Sequence, residues 1–277
     1  MSTRDHILKQ ATDNEAVKAM EDNLIAFIMY CSCVPGAQTA HHTDHIAAIT
    51  GIPQPSLNVI MRTRMSTPHI SERIITAMMP FRERQVPMLW WIFPDTQPDN
   101  LGFYLKQNNL HFNGSEPGMV LELSQLPDTL SLAGHFLIEE VQSKEALDEW
   151  IQVSSSAFGE EMMTLDSDYG RFEQCLGWGQ HRPYRRFLAR LNGEAIATSS
   201  IFMGAGVVGL YSVGTLPQAR GQGIGSAISL APLLVARSLG YNISVLQASP
   251  SGYSVYTKIG FRECCQLQSY LWIPDDA

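Results

Sequence analysis

The stretch VVGLYSVGTLPQARGQGIGS, residues 207–226, decides how this chain is read. Val207, Val208, Leu210, Tyr211 and Val213 bring β-branched and apolar side chains into a short run, which predicts a largely buried strand. Pro217 ends it, because proline has no N–H to give to a ladder. Arg220-Gly221-Gln222-Gly223-Ile224-Gly225 then leads into an apolar stretch of helical period. Glycines at a helix start cost backbone entropy, so a ligand that needs bare backbone is the economical explanation for them. A polyphosphate is such a ligand. Without Cβ atoms the N–H groups can close on its oxygens, and the helix N-terminus carries partial positive charge. Arg220 adds a charge-assisted donor at the rim.

Spacing narrows the nucleotide. A P-loop ends in Gly-Lys-Ser/Thr, whereas Gly225-Ser226-Ala227 has no lysine. The dinucleotide fingerprint wants glycine at position 226, which is serine. What fits is Arg-x-x-Gly-x-Gly, here Arg220, Gly223 and Gly225, after a strand ending Val213-Gly214-Thr215-Leu216-Pro217. On these residues the chain resembles the GNAT superfamily of acyl-CoA-dependent N-acyltransferases. The resemblance implies that Arg220, Gly221, Gln222, Gly223, Ile224, Gly225 and Ser226 grip the pyrophosphate of coenzyme A. It further implies that Val213, Gly214 and Thr215 lend backbone partners to the pantetheine arm, lying between two splayed strands.

A second motif is similar to the same family: Ser249 to Phe261, SPSGYSVYTKIGF, is like a helix ending in Tyr-x-x-x-Gly-Phe. The resemblance makes Tyr256 the general acid that protonates the departing thiolate. A phenol of ordinary pKa, about 10, keeps its proton at neutral pH and can give it to a thiolate of about 8.5. Ser249 stands where many relatives carry an asparagine that touches the cofactor. Acetyl-CoA is the implied cosubstrate, with no metal. The general base is not visible: residues 207–213 hold no acid, and ordered water, Glu173, Glu139 and Glu140 are the alternatives considered instead. Trp178 and Phe158 are read as core before acceptor pocket, and Cys175 lacks a His-Asp partner pattern.

Composition agrees with a globular enzyme. The chain has 277 residues, enough for two domains, and 45% hydrophobic residues can build proper cores. A formal net charge of −8 argues against nucleic acid as partner. Cys31, Cys33, Cys175, Cys264 and Cys265 are an odd set in a long chain, which suits a reducing compartment. The polar N-terminus is no secretory signal, and the apolar run 24–34 is too short for a bilayer. These features predict a cytoplasmic protein without membrane partner, monomer or homodimer, and the GNAT resemblance implies a small-molecule amine or a peptide as acceptor.

Along the chain, residues 11–34 predict a helix capped by Asp13 or Thr12, then strand 57–65, helix 71–84, strand 88–93, helix 99–109 and strand 119–123. Residues 136–141 and 144–158 predict strand and helix with Ser143 as N-cap, followed by helix 168–176. Strands 184–191 and 194–202 flank the hairpin signal Asn192-Gly193. Strand 207–213, helix 225–239, strand 242–248 and helix 251–259 complete the second half. Strand, helix, strand and short helix thus recur in both halves, which reads as a duplication. The expected fold is α/β (α+β): two GNAT-like domains, each a mixed, mostly antiparallel twisted sheet flanked by helices, the N-terminal copy degenerate. The boundaries are 1–125, a linker at 126–135, and 136–277.

The first copy lacks a cradle, since its turn is Ser66-Thr67-Pro68-His69-Ile70-Ser71, and Leu105 falls where the second has Tyr256, unless a one-residue slip substitutes Tyr104. His41 and His45, four apart beside Asp44, would share one face if the stretch 39–52 were helical; a surface or interface role is preferred to a metal site. Pro232, inside helix 225–239, removes a hydrogen bond to Ile228. The activity expected is direct transfer of an acetyl group from acetyl-CoA to a primary amine. The alternative is a non-catalytic acyl-CoA-binding or regulatory protein of the same fold.

Overall fold

A computed structural model describes residues 7–128, 136–159 and 164–274. Residues 129–135 of the expected linker lie outside them. The elements are α1 (Asp13–Cys31), β1 (Gln38–His41), β2 (Ile46–Ile49), β3 (Asn58–Met61), α2 (Ile70–Glu83), β4 (Met88–Ile92), α3 (Leu101–Gln107) and β5 (His111–Glu122). The second half holds β6 (Phe136–Glu140), α4 (Lys144–Phe158), α5 (Asp168–Leu176), β7 (Tyr184–Leu191), β8 (Glu194–Gly204) and β9 (Val207–Thr215). It closes with α6 (Ile224–Ser238), β10 (Ile243–Gln247), α7 (Tyr253–Ile259) and β11 (Arg262–Trp272).

Two compact units result, and neither is a consecutive half. One is Met1–Phe27 with Gly118–Cys264; the other is Ile28–Pro117 with Cys265–Ala277. The expected cut at 126–135 is therefore replaced by cuts near residues 27, 117 and 264. The physical reason is strand exchange. In the first unit, residues 118–122 of β5 pair antiparallel with β10; in the second, β11 pairs antiparallel with β4. Each half's last strand completes the other half's sheet. Most of α1, through Phe27, also belongs with the later chain: Asn23, fully buried, donates to the carbonyls of Phe202, Gly204 and Val207, and Phe27 stacks on Tyr211 at 4.6 Å.

In the first unit the order is β5, β10, β9, β8, β7, β6, with only β9 and β10 parallel. One face carries Ile201, Met203, Val208 and Leu210 against Ile224, Ile228 and Leu233 of α6. The opposite face packs Leu188 on Leu147, Trp150 and Ile151 of α4, whose start is capped by Ser143 accepting the Ala146 N–H at 3.1 Å. In the second unit β1, β2, β3, β4 and β11 follow one another, again with one parallel pair, β3 and β4. Ile70, Ile74, Ala77, Met78 and Phe81 of α2 cover Ala47, Ile49, Ile60 and Trp90.

The duplication is thus a fact of topology, each copy placing a strand, a proline-containing helix, a parallel strand and a short helix in succession. Its short helices also match from their C-terminal ends. Phe261 N–H donates to the Tyr256 carbonyl as Leu110 N–H does to that of Leu105, after left-handed Gly260 and Asn109. Leu105 stands in the place of Tyr256, and no slip to Tyr104 is needed. Two expectations fail. The stretch 39–52 is a hairpin, β1 to β2, so His41 and His45 share no helix face. The strand 119–123 begins eight residues earlier, at His111, and β11 had no sequence expectation at all.

Pro232 finds its account here. α6 runs through it, and Ser199 Oγ, wholly buried on β8, donates to the Ile228 carbonyl at 2.7 Å. The hydroxyl replaces the N–H that proline lacks. Ser199→Ala should therefore cost about 1–3 kcal/mol, the penalty of an orphaned buried carbonyl. In a Pro232→Ala background the helix supplies its own N–H, and the same change should cost less than about 1 kcal/mol. Urea unfolding of the four proteins measures this; equal costs in both backgrounds would refute the pairing.

Candidate active site

β9 carries the singular geometry of the first unit. Its pairing to β8 runs Thr198↔Gly214 and Ser200↔Tyr211, so Ser212 and Val213 face Ser199 alone and form a β-bulge. Ser212 has φ +51, a left-handed conformation uncommon without glycine, and its carbonyl accepts from Thr198 Oγ1 at 3.1 Å. On its other side β9 meets β10 only at Ser244↔Val208 and Val245↔Gly209. Beyond Gly209 the carboxyl ends of β9 and β10 have no described ladder with each other. The parallel ladder thus stops short of the bulge, an opening in the pairing between β9 and β10.

Gly214 lies at this opening for a packing reason. A Cβ there would stand 2.8 Å from Ala157 Cβ and 3.4 Å from Phe158 Cε2, so glycine lets the end of α4 close on the strand. Phe158 is 52% exposed, and Trp178 is also among the exposed large side chains, which corrects the reading of both as core. Val213 is half-buried against the α6 face, and Thr215 ends the strand.

After Leu216 a short 3-10 turn, Pro217–Ala219, carries the chain to Arg220. Arg220 Nε donates to the Thr215 carbonyl at 3.0 Å and Nη2 to the Ala157 carbonyl at 3.2 Å. The guanidinium thus fastens the strand end to the end of α4, a positioning job beyond that of a rim donor. Gly221 and Gly223 both have φ +78, and a Cβ at either would meet nothing within 4 Å, so conformation and not space calls for glycine. Gly223 is the N-cap of α6 and offers no side-chain cap. Ala227 N–H is the first to return to a helix carbonyl, that of Gly223, at 3.1 Å. The N–H groups of Ile224, Gly225 and Ser226 accordingly have no intrahelical partner and point out of the helix start. Gln222 is exposed beside them.

Tyr256 is 8% exposed on α7, within the same cluster as Ile224 and Ala248, and its ring meets Phe261 edge-on at 5.9 Å. Gly252 makes room for it, since a Cβ there would lie 2.7 Å from Tyr256 Cε2. Burial pushes the phenol up to about 12. Ser249 lies in the turn before α7: its Oγ accepts the N–H of Gly252, the N-cap residue, at 3.2 Å and sits 3.1 Å from Ser251 Oγ.

The carboxylates considered as bases are committed elsewhere. Glu173 is buried against Arg186, whose Nε donates to it at 2.9 Å while the guanidinium lies over Tyr184 and Trp150. Glu140 pairs with Arg185 and Glu139 with Arg190. One group that sequence reasoning missed is Gln247, at the carboxyl end of β10 where the parallel ladder has stopped. Its Nε2 is buried and has no hydrogen-bond partner among the described residues. Leu246 and Ala248 point to the α6 face, so the pleat turns Gln247 to the opposite one. A polar side chain in the run Ile243–Gln247 was the available signal.

In the second unit the same opening is closed. β3 and β4 share two parallel pairs, Val59↔Leu89 and Ile60↔Trp90, and Arg62 has φ +53. There Gln97 bridges: its N–H donates to the Thr63 carbonyl and its carbonyl accepts from Met65 N–H, both at 3.0 Å. Left-handed His69 takes the N-cap place of Gly223 at the start of α2. No group of three or more metal-ligating side chains occurs among the described residues, all five cysteines are free, and no described helix is long and apolar enough to cross a membrane.

Residues 144–261 match the acetyltransferase (GNAT) family. In structure the chain is similar to a GCN5-related N-acetyltransferase from Kribbella flavida, with a TM-score of 0.69, 15% identity, and 90% of this chain and 94% of that one covered. It is also similar to a tandem GNAT protein from the clavulanic acid biosynthesis pathway, with a TM-score of 0.59, 12% identity and 99% of each chain covered. A GCN5-related N-acetyltransferase from Sphaerobacter thermophilus gives 0.58 at 12% identity over 98% and 97%. No curated protein sequence matches. The chain has the fold of two GNAT-like domains, and its segment 144–261 matches the model of the acetyltransferase (GNAT) family.

Proposed function

We propose that the protein is an N-acyltransferase that moves an acetyl group from acetyl-CoA to a primary amine, at one site per chain in the first unit. The carrying observation is the parallel ladder of β9 and β10 that ends at Gly209 and Val245, beside a helix start capped by left-handed Gly223. In this reading an extended pantetheine lies where that ladder stops, and a pyrophosphate meets the N–H groups of Ile224, Gly225 and Ser226. Val213, Gly214 and Thr215 line the first; Arg220, Gly221, Gln222 and Ser226 surround the second; Ser249 stands at the end of β10. In this reading a backbone N–H at the bulge polarises the thioester carbonyl. The amine nitrogen attacks that carbonyl, a C–N bond forms, the C–S bond breaks, and Tyr256 gives its proton to the thiolate. With Glu139, Glu140 and Glu173 held in ion pairs, the amine loses its proton to water.

The same pairing of the glutamates is what favours the second reading, a non-catalytic acyl-CoA-binding protein. Two measurements test the proposal. Calorimetric titration with coenzyme A should saturate at one molecule per chain, because Gln97 bridges the corresponding opening in the second unit; two per chain would overturn the assignment of that unit. A panel of primary amines with acetyl-CoA should release free thiol. Tight coenzyme A binding with no thiol released by any amine selects the binding protein.

A further inference from the structure

The second unit holds a groove of about 1070 Å³ between the β1–β2 hairpin and α2, lined by several ionisable side chains. Its floor is apolar, from Ala47 and Ile49 on the strand to Met79 and Pro80 on the helix. At one end stands His45, 8% exposed, on the hairpin. Its Nδ1 lies 2.8 Å from Asp44 Oδ1, and Arg73 Nη1 donates to the other oxygen of Asp44 at 3.2 Å. The His42 ring stacks on His45 at 4.4 Å.

This arrangement fixes what the imidazole offers. The Asp44 carboxylate accepts from Arg73 on one oxygen and can only accept on the other, so Nδ1 carries the proton and Nε2 presents a lone pair. Burial, opposed by Asp44, moves the imidazole below its ordinary range, in keeping with the neutral form. The imidazole of His45 lines the groove, and its Nε2, an acceptor, has no partner among the described residues. It wants a donor. The charges choose among donors: Asp44, Glu72 and Glu83 line the groove against Arg73, three carboxylates to one guanidinium, a balance of −2 before the histidines are counted.

We propose that this groove is a binding site for a protonated primary amine with an apolar body, its ammonium donating to His45 Nε2 and its hydrocarbon lying along Ile49, Met79 and Pro80. The site is separate from the transfer site and does not depend on that reading: the two lie in different units and share no residue.

The test uses the full chain without acyl-CoA, and three probes of one length: n-hexylammonium, 1-hexanol and hexanoate. Calorimetry should show hexylammonium saturating at one per chain from this groove, about tenfold tighter than hexanol, with hexanoate not binding. His45→Phe should weaken hexylammonium about tenfold or more. Met79→Lys, on the exposed face of α2 where folding is not at stake, should do the same by placing a like charge in the groove. Gly223→Asp should leave it unchanged. Equal affinity for hexanol or hexanoate, indifference to Met79→Lys, no saturable binding, or loss in Gly223→Asp would each overturn the proposal. The last result would move the amine to the transfer site, whereas failure of the first three leaves that site untouched.

Discussion

Gly223→Asp is expected to weaken coenzyme A binding about 100-fold or more in a protein that still folds. Folding should survive because aspartate tolerates the left-handed conformation at φ +78 better than most side chains, and nothing lies within 4 Å of its Cβ. The molecule itself carries the precedent, since His69 sits left-handed at the N-cap of α2 with φ +59. An aspartate at an N-cap also accepts from the helix N–H groups. That is the origin of the loss. The donors that would close on a pyrophosphate are taken, and a carboxylate of the same sign occupies their place. Gly223→Asn separates the two causes, because it caps without charge; its loss should be smaller, and the gap between the variants should shrink with added salt. Calorimetry on folded variants decides. Unchanged affinity in Gly223→Asp would mean that the phosphates are held elsewhere.

The parts of this site that follow local rules were legible in the sequence. Pro217, the glycines at 221, 223 and 225, and the apolar period after them fix strand, turn and helix start, and the structure has β9, a 3-10 turn and α6 there. Ser143 as N-cap and Asn192-Gly193 between two strands were legible for the same reason: each acts on backbone within a few residues. What was hidden depends on partners far along the chain. The bulge at Ser212 and Val213 leaves no composition signal, because it is a count of residues against β8. The exchange of β5 and β11 is invisible locally, and the alternation in β11, with Cys264, Cys265, Gln266 and Gln268, is too polar to read as a central strand. Ser199 has no visible tie to Pro232 until the fold sets β8 under α6. Histidines four apart suggested a helix face because spacing cannot tell i, i+4 from two arms of a tight hairpin.

Tyr256→Phe should leave coenzyme A affinity within a few-fold and lower kcat by about 10², the usual worth of a positioned general acid. The surroundings of the phenol sharpen the expectation. Burial holds it at about 12, so it stays protonated at every pH suited to an assay, and the alkaline limb of the kcat–pH profile does not belong to it. The variant should be slower by the same factor from about pH 6 to 9, with both limbs in place. A phenol this weak can protonate a thiolate of ordinary basicity, about 8.5, only uphill. In the proposed reaction the transfer would come near balance where the leaving sulfur is as poorly solvated as the buried phenol and so correspondingly more basic. The same shift has a signature in stability that does not require turnover. The folded value lies above the unfolded one of about 10, so folding holds the proton. The contribution is complete below about pH 10 and is lost as pH rises through about 12. Tyr256→Phe should remove that portion of the alkaline loss, seen as a shallower fall of the urea midpoint between about pH 10 and 12. If turnover stays within about twofold of wild type while the alkaline stability changes as described, Tyr256 is a buried core tyrosine and the thiolate takes its proton from water.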